Sequence, residues 1–203
     1  MLATTGACGN LNPPAENVPP AKIAEWGGTI AARVAGVLER AAPLATPRLR
    51  VRARTVSLAA EVLAGPELAA HAERLLADTA SRAEWGERHR RAVASWQAGL
   101  SRAAAAWEIE LFALRLGPCV LLGVNGEPFS LFTAEVRRRT GAPVSTIGYA
   151  NGLTGYLAPA AAYREGGYEV DVAHVFYDTF RAREGALEAL AAEAAELVQE
   201  VLD

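Results

Sequence analysis

The sequence predicts an α/β protein, a mixed sheet with helices packed on it. Two observations carry that prediction. Stretches of apolar alternation or unbroken apolar character recur along the chain, and stretches with helical spacing lie between them. The joints are short and marked by Gly, Pro or Asn, with no internal repeat and no low-complexity linker. At 203 residues the chain is long enough for one sizeable core, so residues 1–203 read as a single region.

The elements follow in order. A proline-rich loop, NPPAENVPP (12–20), leads into a helix over about 20–41, with Ile23, Ile30, Val34, Val37 and Leu38 as its apolar positions. ATPRLRVRARTVSLA (45–59) alternates as a strand. Leu49, Val51 and Ala53 face one way and Arg48, Arg50, Arg52 and Arg54 the other, and the arginine side reads as a solvated face. A helix over 65–80 carries Leu68, Ala72, Leu75 and Leu76 on one stripe. A second, over about 84–104, carries Trp85, Val93, Trp96 and Leu100. Residues 106–124 form two strands around a Gly-Pro turn. The second half, CVLLGV, is apolar throughout and so is expected to be buried on both faces. EPFSLFTAEVRRRTG (127–141) is a helix closed by Gly141, PVSTIGYA (143–150) a strand, and YEVDVAH (168–174) a short strand. A helix over about 180–202 ends the chain, its stripe formed by Leu187, Leu190, Ala191, Ala194, Leu197, Val198 and Val201.

Charge excludes some functions. With 20 basic and 23 acidic residues the net charge is −3, and neither nucleic acid nor an anionic membrane surface is an expected partner. Apolar runs fall short of the roughly 20 residues of a membrane helix. The first residues lack the basic start of a signal peptide, and localisation stays open between cytoplasm and export. Cys8 and Cys119 read as buried, reduced thiols, and His71 and His89 as helix-flank surface residues. The three histidines have no metal-binding spacing.

Three stretches carry candidate chemistry. In GVNGEPFS (123–130) a strand runs through Asn125-Gly126 to Glu127, where a carboxylate can bind a metal or complement a helix dipole. In ANGLTGYLAPAAAYREGGYEV (150–170) three of the five tyrosines, Tyr156, Tyr163 and Tyr168, stand among glycines; Asn151, Gly152 and Gly155 let the backbone double back. That loop either carries ligand-facing phenols or plugs a surface. In TGACGNLNPP (5–14) Gly9 and Asn10 belong to a turn that can present N–H groups to an anion, or simply reverse the chain.

In that order, these segments resemble the neutral, non-lysosomal ceramidase family. GACGNLNPP resembles the family's serine loop, NGEPF its segment with a zinc-ligating glutamate, and YANGLTGYLAPAAAYREGGYEV its tyrosine loop. The resemblance implies the second half of a bacterial zinc-dependent amidase domain. Such an enzyme cleaves the N-acyl bond of ceramide to a sphingoid base and a fatty acid. It implies Glu127 and Tyr156 as Zn²⁺ ligands, Tyr168 as a hydroxyl beside the developing oxyanion, and Gly9, Asn10, Asn151 and Gly155 as loop residues around the substrate. Three departures accompany it. The serine position is Asn12, which cannot act as a nucleophile. The family's histidine ligands have no counterpart, and its C-terminal immunoglobulin-like domain is not matched. The expected partners are therefore a lipid amide and either an N-terminal half or a second copy. A lipid- or partner-binding module without catalysis is the alternative.

Overall fold

The computed structural model describes residues 4–15, 17–43, 49–81, 86–100 and 103–203. The first elements are α1 (Pro20–Leu38), β1 (Leu49–Ala59), α2 (Gly65–Ser81), α3 (Gly86–Gly99), β2 (Ala106–Leu116) and β3 (Cys119–Val124). There follow β4 (Glu127–Pro128), α4 (Leu131–Thr140), β5 (Val144–Ile147), β6 (Tyr156–Leu157), α5 (Ala160–Glu165) and α6 (Ala186–Leu202). The fold is α/β. The main sheet has the order β1-β2-β3-β5, with the first two pairings antiparallel and β3 parallel to β5. A parallel neighbour needs a crossover, and α4 forms it. Gly117, at φ 59°, makes the tight hairpin from β2 to β3.

Pairing register sorts the side chains into two faces. Trp107, Ile109, Leu111 and Ala113 of β2 are buried together with Val120, Leu122 and Val124 of β3 and Val144 of β5. The stripe of α6 lies on this face, and all seven residues expected in it are buried. Arg115 donates to the carbonyls of Val201 and Leu202 and so satisfies the open C-terminal end of α6.

The opposite face of the sheet is bare among the described residues. Its β1 row, Leu49, Val51, Ala53, Thr55, Ser57 and Ala59, is exposed throughout. Beside it lie Phe112, Leu114 and Leu116 of β2, then Cys119 and Leu121 of β3, all at least partly exposed. Phe112 lies across Gly123, where an added Cβ would meet the ring at 1.9 Å. This reverses two expectations. CVLLGV is covered on one face only, because the helices that pack on the sheet share one side. The arginines of β1 face α6, where Arg54 pairs with Glu193, Glu196 and Glu200, and the apolar row faces solvent.

Other expectations shift locally. Glu127-Pro128 is a strand rather than the start of a helix, and α4 begins at Leu131, closing on left-handed Gly141 as expected. Residues 168–174 form no strand. Gly166 and Gly167, at φ 71° and 118°, turn the chain, and Asp171 Oδ2 accepts from Gly167 N at 2.8 Å. This closes a π-helical turn (Tyr168–Val172), followed by a 3-10 turn (Ala173–Tyr177). Cys119 is exposed and Cys8 half-buried, while His71 and His89 are buried. The stripe of α1 buries nothing among the described residues. Trp85, Arg48 and the 45–48 part of the expected strand lie outside the described residues. No described helix is long and apolar enough to cross a membrane.

Candidate functional site

Two backbone loops clasp the segment that carries Glu127. On one side β4 pairs in parallel with β6, so that Glu127 stands opposite Tyr156, and Glu127 N donates to Gly155 O at 2.9 Å. On the other side Gly9 N donates to Pro128 O at 3.0 Å, and Asn10 Oδ1 accepts from Ser130 N at 2.8 Å. Both glycines are demanded by space. A Cβ on Gly9 would come within 2.6 Å of Glu127 O, and one on Gly155, at φ 139°, within 2.9 Å of Trp107. The sequence motifs around Gly9, Glu127 and Tyr156 therefore meet at one place.

The Glu127 carboxylate is buried, and tyrosines satisfy both of its oxygens. Tyr149 Oη donates to Oε2 at 2.5 Å and Tyr177 Oη to Oε1 at 2.6 Å. Hydrogen bonds from hydroxyl to carboxylate are short and strong, which is what a charge withdrawn from water requires. Tyr149 holds a left-handed backbone, φ 57°, a conformation that costs a bulky residue on the order of 1–3 kcal/mol. Tyr156 packs against Tyr168 and Tyr177 with ring centroids 6.0 and 6.4 Å away. Four of the five tyrosines thus gather around one carboxylate. The fifth, Tyr163, donates to Ala182 O at 2.5 Å beneath the Arg181 guanidinium, and belongs to the packing of α5.

Burial raises the phenol pKa of Tyr149, Tyr156, Tyr168 and Tyr177 above the ordinary tyrosine value, and the Glu127 charge raises each further. The phenols are protonated donors at neutral pH. The cluster is a buried carboxylate ringed by hydroxyls, an arrangement that can meet a cation or a polar head group.

Asn151, also left-handed at φ 64°, donates from Nδ2 to Glu110 Oε1 at 2.5 Å and ties the tyrosine loop to β2. Asn12 is exposed two residues beyond Asn10, with no bond to Glu127 or the tyrosines among the described residues. Sequence reasoning missed Tyr149 and Tyr177, whose hydroxyls bond the two Glu127 oxygens. The scarcity of tyrosine was a usable signal for both, whereas the spacing of Tyr177, 50 residues beyond Glu127, carried none.

The donor set bears on the zinc that the resemblance implies. Glu127 and Tyr156 are two donors, and zinc takes about three from the protein plus water. No group of three or more His, Cys, Asp or Glu that could hold a metal occurs among the described residues. The residues present do not by themselves make a zinc centre.

No protein-family model matches the chain, and no curated protein matches it. Among solved structures it is similar to the neutral ceramidase from Pseudomonas aeruginosa, with 19% identity over 49% of this chain and a TM-score of 0.34. It is also similar to a ceramidase complexed with C2, with 21% identity over 48% of this chain and a TM-score of 0.34. Each match spans 16% of the other chain's length.

Proposed function

We propose that this chain carries one wall of a ceramidase-like amide hydrolase site, incomplete without donors from an upstream half of the domain or another chain. The observation that carries the proposal is the buried Glu127 carboxylate, paired across β4 and β6 with Tyr156 and bonded by two more tyrosines. In this reading Glu127 and Tyr156 face the missing donors, and the protonated Tyr168 hydroxyl donates to the carbonyl oxygen of a lipid amide. Asn12 can orient water or a carbonyl by hydrogen bonding, but holds no proton to transfer. The bare apolar face of the sheet supports the same idea, since a completing element would cover it.

The test is activity on N-acyl amides after co-expression with an upstream half. Glu127→Gln and Tyr156→Phe are each expected to reduce turnover by at least about a hundredfold, the usual scale for a lost electrostatic contact. Unchanged activity in both variants would sink the assignment.

A second reading is a lipid- or partner-binding module without catalysis. The direct bonding of both Glu127 oxygens by tyrosines favours it, because a carboxylate so occupied already has a structural role. It predicts saturable binding of a long-chain amide by the chain alone, with no turnover in the completed assembly.

A further inference from the structure

Behind the turn that carries Tyr168 lies a second polar place. A cavity of about 460 Å³ is lined by His71, Arg74, Leu75, Gly167, Asp171, Val172 and Arg181. At its floor His71 Nε2 lies 3.2 Å from His174 Nε2, and Trp96 stands edge-on to both rings. Both histidines are buried.

The protons in this pair can be assigned. Arg74 Nη2 reaches His71 Nδ1 at 3.4 Å, and a guanidinium can only donate, so Nδ1 is an acceptor. The His71 proton therefore sits on Nε2 and is donated to His174 Nε2. His174 then carries its own proton on Nδ1, which is buried without a hydrogen-bond partner among the described residues. The pair is neutral and imperfectly satisfied. Burial lowers the pKa of both histidines, and Arg74 and Arg181 depress His71 further while Asp171 and Glu61 partly offset them.

We propose that this cavity binds a small organic carboxylate and takes up a proton on His71 as it does so. The carboxylate replaces His71 as the acceptor for Arg74, which frees His71 Nδ1 to gain a proton and donate it to the same carboxylate. One proton moves from solvent to Nδ1, and no other bond changes. Leu75 and Val172 offer an apolar wall to the body of the ligand. Asp171 does not oppose it strongly, because Oδ2 accepts from Gly167 N and Oδ1 from Arg181. Arg181 is in turn held by both oxygens of Glu61. None of the lining residues bonds Glu127 among the described residues, and the proposal does not rest on any hydrolase activity.

The test is titration calorimetry of the full chain with benzoate, in two buffers of different ionisation heat, across pH 5.5–8. Uptake of up to about one proton per benzoate is expected, with affinity rising by up to about tenfold per pH unit as pH falls. Arg74→Gln, on an exposed stem, should leave folding intact and weaken binding at least about tenfold; His71→Gln should remove the proton uptake. Absent or pH-independent binding would overturn the proposal, as would benzoate binding that Arg74→Gln leaves unchanged. Inorganic phosphate binding as tightly as benzoate would overturn the carboxylate class.

Discussion

Tyr177→Phe deletes the hydrogen bond to Oε1 of the buried Glu127 carboxylate. It should destabilise the fold by about 1.5–3 kcal/mol in denaturant unfolding, and Tyr149→Phe should do the same. The raised phenol pKa values set a pH dependence. In the unfolded chain these tyrosines ionise near pH 10, while in the folded chain they resist, so their contribution is whole below about pH 10 and is lost as pH rises further. His174 acts at the other end. Its pKa is pushed down to about 3 in the fold, so its contribution is whole above the ordinary value of 6.5 and falls away as pH drops toward 3. Thermal midpoints should therefore decline on both sides of neutrality, and His174→Gln should flatten the acid limb. At this scale Glu127, Tyr156 and Gly155 could be singled out because each sits in a short motif with turn chemistry, and the structure brings the three together. Tyr149, Tyr177 and the His71–His174 pair were not, because long-range folding brings them together from separate elements.

Elements were legible where one period held over many residues. The α6 stripe, the Gly117 hairpin and the Gly141 stop followed from spacing and from glycine alone. Residues 168–174 misled because Tyr168, Val170 and Val172 alternate like a strand, while the backbone obeys Gly166, Gly167 and the Asp171 side chain. The joint between β6 and β4 depends on Gly155. Gly155→Ala puts a Cβ against Trp107 at a φ that disfavours any side chain, and should cost on the order of 1–3 kcal/mol in the unfolding free energy. The same substitution at Gly99, where nothing lies within 4 Å, is the control and should be near neutral or stabilising.

For the whole molecule, the class was readable from the alternation of elements, but not which face each strand would bury. Alternation says that β1 has two faces; Arg54 lies toward α6, which presents three glutamates to it, while Arg52 on the same side stays exposed. The apolar face of the sheet and the exposed stripe of α1 remain, with Leu49, Val51, Ile23, Ile30 and Val37 each more than half exposed. On the proposed reading this surface awaits a completing half or a second copy. Concentration-dependent association in sedimentation is expected, weakened by Val51→Lys with little change in thermal midpoint.

The most direct test of the proposed site is zinc per chain, by elemental analysis of the purified 203-residue protein beside Glu127→Gln. On the proposed reading, in which Glu127 and Tyr156 are two of about four ligands, the chain should carry well under one zinc, and Glu127→Gln less still. About one tightly held zinc per chain that survives Glu127→Gln would contradict the account, because the metal would then sit elsewhere and the tyrosine cluster would be structural.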